Sequence, residues 1–149
     1  MVEIRRSTCK EVFEAPAFEE LMQGYSTEVV NPDLTVIPDR EMYERMESLG
    51  VLHFVGLFDD DGKLVGVCVY VVSQIPHFKG RNIASVESLW VTPALRPRGW
   101  GLRLIHAAKR FAKEDGAMGM FWGAKEGTAA AKLFERIATP MDRLFWMKL

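Results

Sequence analysis

The stretch Val86–Ile105, VESLWVTPALRPRGWGLRLI, constrains the fold of this chain more than any other. It begins as an apolar, β-rich run that ends near Val91. It continues past Gly101 as a helical pattern, with Leu104, Ala108 and Phe111 on one face. A strand that passes into a helix needs a later strand to return to, so the sequence belongs with layered α/β architectures. The turn between the two holds Arg96, Arg98, Gly99 and Gly101. The first amides of a helix have no intrahelical partner and carry the positive end of its dipole. Glycines at such a turn let an anion approach the main chain, and arginines can add charge-assisted bonds. This is the chemistry a pyrophosphate requires. The third glycine of a dinucleotide fingerprint is missing, since the run continues Gly99-Trp100-Gly101-Leu102-Arg103-Leu104. A phosphate loop of the Gly-Lys-Ser/Thr kind is missing as well. On the hexapeptide alone, an ordinary tight turn with two solvated arginines fits equally well.

The remaining elements follow from pattern and punctuation. Residues 2–6 alternate apolar and charged side chains, as an edge strand does. Residues 10–29 read as helix broken near Ala15-Pro16, because proline suits a first turn better than an interior. Asp39 is placed to cap a helix whose apolar side is Met42, Tyr43, Met46 and Leu49, closed by Gly50. Residues 51–58 and 63–72 are β-rich and joined by Asp59-Asp60-Asp61-Gly62, a hairpin signal. A turn at 76–81 leads into a strand at 83–91, followed by the helix at 101–113. A strand at 117–123, a helix at 128–137 and a last strand at 143–148 complete the pattern. The expected fold is a mixed sheet of about six strands with helices on both faces, in a single domain covering 1–149.

The 19 basic and 20 acidic residues leave a formal charge of -1, which disfavours nucleic acid as the main partner. Cys9 and Cys68 are too few for a disulfide framework or a zinc site, so no metal is expected and both read as buried thiols. The N-terminal residues have no apolar core of a leader, and no run reaches the roughly 18 residues of a membrane span. A cytoplasmic protein that does not engage membranes is the expectation. The stretch RLFWMK near the end is apolar on both sides, so a second copy of the chain is expected to cover it.

Val91-Thr92-Pro93, then Arg96-x-x-Gly99-x-Gly101, then Leu104 resembles the acyl-CoA-binding motif of the GNAT superfamily of N-acetyltransferases. The order of elements is similar over nearly the whole chain. The run from Val71 to His77 and the short ending resemble, more narrowly, small GNAT proteins of phages and bacteria. The resemblance implies acetyl-CoA as acyl donor and an amine as acceptor, with the fourth and fifth strands splayed apart. It places the pyrophosphate on the amides of Arg98, Gly99, Trp100, Gly101 and Leu102, beside Arg96. It sets the pantetheine along the main chain of Leu89, Trp90 and Val91.

An amine must lose a proton before attacking a thioester, so a base is expected near that strand. Glu87, six residues before Pro93, is the first candidate; alternation sets it on one face with Ile83, Leu89 and Val91, in apolar surroundings. A structural carboxylate is the competing role for it. His77 in the preceding turn is the second candidate base. Tyr25 and Glu28 lie on the early helix that the resemblance assigns to the acceptor side. Lys109, Arg110 and Lys113 read as a solvated helix face that could also meet the 3′-phosphate of CoA. Three departures from the family pattern stand out. Phe134 occupies the position of a frequent tyrosine general acid, Ala138-Thr139 replaces the usual helix stop, and Pro97 removes one amide from the turn. These departures keep a second reading open: a non-catalytic module that binds acyl-CoA or another protein.

Overall fold

The computed structural model describes residues 1–29 and 31–149. Its sheet has five strands in the order β1-β2-β3-β4-β5. β1 (Glu3–Ser7), β2 (Leu52–Phe58), β3 (Leu64–Gln74) and β4 (Asn82–Val91) pair antiparallel, and β5 (Gly119–Phe121) joins β4 in parallel. Between β1 and β2 come α1 (Cys9–Phe13), α2 (Phe18–Glu28) and α3 (Arg40–Ser48). A long α4 (Trp100–Glu114) connects β4 to β5, and α5 (Ala129–Ile137) follows.

Alternation along the strands splits the core into two layers. Val55, Leu57, Cys68, Tyr70 and Ala84 pack against Leu104, Ala107, Ala108 and Ala112 of α4. Phe54, Val67, Val69 and Trp90 pack on the other side against Val12 and Leu21, with Tyr25, Tyr43 and Met46 at the margin. Small residues on α4 let it lie close to the sheet. Its far end is pinned where Asp115 accepts hydrogen bonds from Tyr70 Oη at 2.7 Å and Arg6 Nη1 at 3.0 Å.

Local signals in the sequence act as expected at several points. The chain breaks between Phe13 and Phe18, around Pro16. The Asp39 side chain accepts from the Met42 amide at 3.1 Å and caps α3. Asp59 accepts from the amides of Asp61 and Lys63, closing the β2–β3 hairpin through a left-handed Gly62. Of the four residues assigned to the inner side of α3, Tyr43 and Met46 pack inward, whereas Met42 and Leu49 are exposed. The helix meets the layer along a narrow strip only, so two of the four apolar positions find nothing to cover them.

The expected last strand does not form. Residues 139–149 form no regular element and join no ladder, and the sheet among the described residues has five strands rather than six. Arg143 bonds to Glu126, while Trp146 Nε1 and Lys148 Nζ reach Asp33 at 2.9 and 3.0 Å. β5 is only three residues long and offers little edge to pair with. Leu144 and Phe145 are left 101% and 83% exposed. Among the described residues no helix is long and apolar enough to cross a membrane.

Candidate functional site

The junction of β4 and α4 is a 3-10 turn, Pro93–Arg98, followed by Gly99 in the left-handed region at φ 79°. Only glycine adopts that conformation without strain, and it lets the chain reverse from the turn into the helix. The Gly99 amide donates to the Arg96 carbonyl at 3.0 Å, and the Gly99 carbonyl accepts from Arg103 at 3.1 Å. No side chain caps α4. Helix geometry therefore leaves the N–H groups of Trp100, Gly101 and Leu102 without intrahelical partners. A Cβ built on Gly101 meets nothing within 4 Å, so Gly101 is open on its side-chain side. Within the expected set Arg98–Leu102, the Gly99 amide is already bonded inside the turn. Main-chain donors in this arrangement suit a phosphate or diphosphate.

The two arginines do not act alike. Arg98 is exposed at the end of the 3-10 turn. Arg96, expected beside an anion, turns toward the opposite layer instead. Its Nε donates to the Val91 carbonyl at 2.7 Å, its Nη2 to Glu28 at 2.7 Å, and its guanidinium lies 5.5 Å from the Trp90 ring centre. Glu28 is thus engaged with the turn rather than presented to a substrate. Trp100 half-buries its ring against the α4-side core and carries the Arg103 guanidinium 4.5 Å above it.

Next to this turn the sheet divides. β4 and β5 pair only where Ile83, Ala84 and Ser85 face Gly119, Met120 and Phe121. Beyond Ser85 the strands part, and Val86–Val91 runs on without a partner on that edge, as the splayed arrangement requires. The main chain of Leu89 and Trp90 borders the opening, while the Val91 carbonyl is occupied by Arg96.

The surroundings of Glu87 differ from expectation. Opposite it the register slips: Val69 faces Ser88 and Tyr70 faces Val86, so Glu87 is the extra residue of a bulge. Ala84 and Val86 before the bulge face the α4 layer, and so do Leu89 and Val91 after it. Alternation therefore cannot be carried across Glu87, and it shares no face with Leu89 and Val91. Its carboxylate is exposed on the α2–α3 side, not lodged among apolar groups, and accepts from Tyr43 Oη at 2.7 Å. Burial, followed by that bond, pushes the Tyr43 phenol up. Burial, with the Glu87 charge second, pushes Tyr25 up as well. Both phenols stay protonated at neutral pH. Glu87, Tyr43 and Tyr25 form one cluster from a strand bulge and two helices.

His77 lies elsewhere. It is exposed in the loop before β4, its ring 6.4 Å from that of Phe78. Five strand residues separate that end of β4 from Glu87, a span of roughly 15 Å. The Phe134 ring is buried and stacks on Trp122 at 5.2 Å, so this position serves the packing of α5. Burial, and then Glu47, push the Cys9 thiol up to about 11, and burial raises Cys68 further. Neither presents a thiolate at neutral pH. Arg110 lies over the Phe111 ring at 4.8 Å, next to exposed Lys109 and Lys113. Among the described residues no group of three or more His, Cys, Asp and Glu could hold a metal ion.

Sequence reasoning missed Tyr43, whose place in an apolar helical stripe marks it as core, and also the bulge that aims Glu87. A bulge has no short signature. The two adjacent polar residues Glu87 and Ser88 inside a strand were the available hint.

Comparison with known proteins agrees with this geometry. The model of the acetyltransferase (GNAT) family matches residues 16–138. A ribosomal-protein-alanine N-acetyltransferase from Brucella melitensis biovar Abortus 2308 superposes with a TM-score of 0.77 at 21% identity, over 100% of this chain and 97% of that one. An aminoglycoside acetyltransferase from an uncultured soil metagenomic sample, solved with sisomicin, gives 0.74 at 22% identity, over 99% and 96%. The aminoglycoside enzyme AAC(6')-Iy, solved with a bisubstrate analogue of CoA and acetylneamine, gives 0.72 at 16% identity, over 100% and 98%. No curated protein matches the sequence.

Proposed function

The chain belongs to the acetyltransferase (GNAT) family, and from that premise we propose that it moves an acetyl group from acetyl-CoA to a primary amine by direct attack. The observation that carries this reading is the uncapped start of α4, open at Gly101, next to the edge that β4 exposes where β5 leaves it. Trp100, Gly101 and Leu102 would hold the diphosphate through their amides, and Leu89 and Trp90 would hold the pantetheine. Acetyl-CoA supplies a thioester whose acyl carbon an amine can attack. Glu87 takes the proton from the incoming ammonium, directly or through water, and Tyr43 steadies the carboxylate with its hydrogen bond. Carbon–sulfur cleavage then releases a thiolate that solvent protonates, since Phe134 has no proton to give. Positioning supplies most of the acceleration. His77 is the lesser candidate for the base, far along β4.

The fold neighbours named above act on a ribosomal-protein alanine or on aminoglycosides, and either an amino-sugar or a peptide amine suits a cluster formed by Glu87, Tyr25 and Tyr43. Two free buried thiols suit a reducing, cytoplasmic setting. A second copy of the chain is the proposed cover for the apolar residues 143–149. The second reading, a binding module without turnover, is favoured by the buried Phe134. Titration calorimetry with acetyl-CoA, followed by CoA release across a panel of aminoglycosides, polyamines and peptides, separates the two. Turnover with any amine supports the enzyme. Binding with no amine above background supports the module.

A further inference from the structure

Glu28 is the last residue of α2, and its carboxylate meets Arg96 at 2.7 Å. Arg96 in turn begins the Arg96-x-x-Gly99 stretch whose far end opens to an anion. The same helix packs unusually close to the sheet at Gly24, where a Cβ would lie 2.4 Å from Trp90 Cζ2. Trp90 is 6% exposed, and its Nε1 is buried with no hydrogen-bond partner among the described residues. A buried N–H without a protein partner offsets part of the gain from packing α2 on the ring, so a tie at the end of α2 has something to add. The Glu28–Arg96 pair sits at the end of that helix, with the guanidinium directly over the same ring. Three residues before Glu28, Tyr25 lies within the electrostatic reach of Glu87. One ion pair therefore joins the turn proposed for the acyl donor to the helix proposed for the amine.

We infer that Glu28 is a positioning residue that restrains Arg96, holding α2 against Trp90 for the amine while reducing the attraction of the turn for a diphosphate. The inference rests on the donor-site reading above. Two consequences of opposite sign follow. Without the carboxylate, the Arg96 charge is no longer balanced, and an anion at the α4 amides experiences a more positive field. Without the ion pair, α2 loses its tie beside the indole and loosens. A residue that merely supported the fold would weaken both sites together.

The test is acetyl-CoA titration of wild type, Glu28→Gln and Glu19→Gln. Glu19→Gln removes the same charge from the exposed first turn of α2 and is not bonded to Arg96. Glu28→Gln should bind acetyl-CoA about 3-fold more tightly at low ionic strength, the size of an exposed ion pair. The gain should fade in roughly 1 M salt. Glu19→Gln should match wild type. Hydrogen exchange across residues 18–28 should quicken in Glu28→Gln, and KM for the amine should rise with little change in kcat. Unchanged or weaker acetyl-CoA binding in Glu28→Gln, with wild type binding normally, overturns the inference alone. If wild type does not bind acetyl-CoA, the donor-site reading fails and the inference fails with it.

Discussion

The two sides of the site are made of different materials. The proposed acyl-donor side is main chain: three helix amides, a left-handed Gly99 and a strand edge. The proposed amine side is side chain, with Glu87 on a bulge, Tyr43 on α3 and Tyr25 on α2. A main-chain site needs only residues that stay out of the way, so its demands are local and appear as spacing. A side-chain site needs groups from distant parts of the sequence to meet, so its demands are met only by the whole fold. The first tolerates changes in neighbouring side chains but not a blocked approach. The second tolerates crowding less well and depends on individual functional groups.

The largest expected effect tests the main-chain half. Gly101→Glu puts a carboxylate in open space at a helical position, so the fold should survive with an unchanged melting temperature. Calorimetry should show acetyl-CoA affinity reduced at least ~100-fold, from charge repulsion and blocked amides. Wild-type affinity in a folded variant would remove the distinction. Next, Glu87→Gln should lower kcat by roughly 100-fold, the lower end of what a general base contributes, and leave acetyl-CoA affinity unaltered. A wild-type rate in the variant would move the role of base to another residue, His77 first.

A smaller effect tests the seam between the halves. Gly24→Ala forces a methyl into the Trp90 ring and should destabilise the protein by about 1–3 kcal/mol, as overpacking does. Denaturant titration reads this, and the amine KM should suffer more than acetyl-CoA affinity. The smallest effect lies outside both halves. The Arg5 hydrogen bond holds the Glu11 carboxyl down to about 2 from 4.5. A depressed folded-state value means stability that is present above pH 4.5 and lost as pH falls through 2. The pair is partly exposed, so screening limits its worth to about 1 kcal/mol. Glu11→Gln should therefore flatten acid unfolding in that window and change nothing at the site.

The same division explains what could be read in advance. The α4 entry, the Asp39 cap and the Asp59–Gly62 hairpin are each encoded within a few residues, and each stands where the sequence places it. Helix order and the parting of β4 from β5 were likewise legible, through spacing and family resemblance. Glu87 was found as a residue but misplaced as an environment, because one extra residue in β4 reverses alternation and only the adjacent polar pair Glu87-Ser88 hints at it. Tyr43 was hidden by its apolar neighbours. Arg96 was read as an anion ligand, and the sequence cannot show that Glu28, 68 positions away, meets its guanidinium. Residues 143–148 have strand composition, but pairing requires an edge, and β5 provides three residues.

The extra residue at Glu87 has a mechanical consequence. The strand segments on either side of it show opposite parity to the same layer, so neither can slide one step along β3 without turning Ala84 and Val86, or Leu89 and Val91, out of the interior. The carboxylate thus occupies a fixed rung. Deleting Glu87 alone would let alternation run unbroken from Ala84 to Val91, so the core would keep its faces while the site lost its carboxylate.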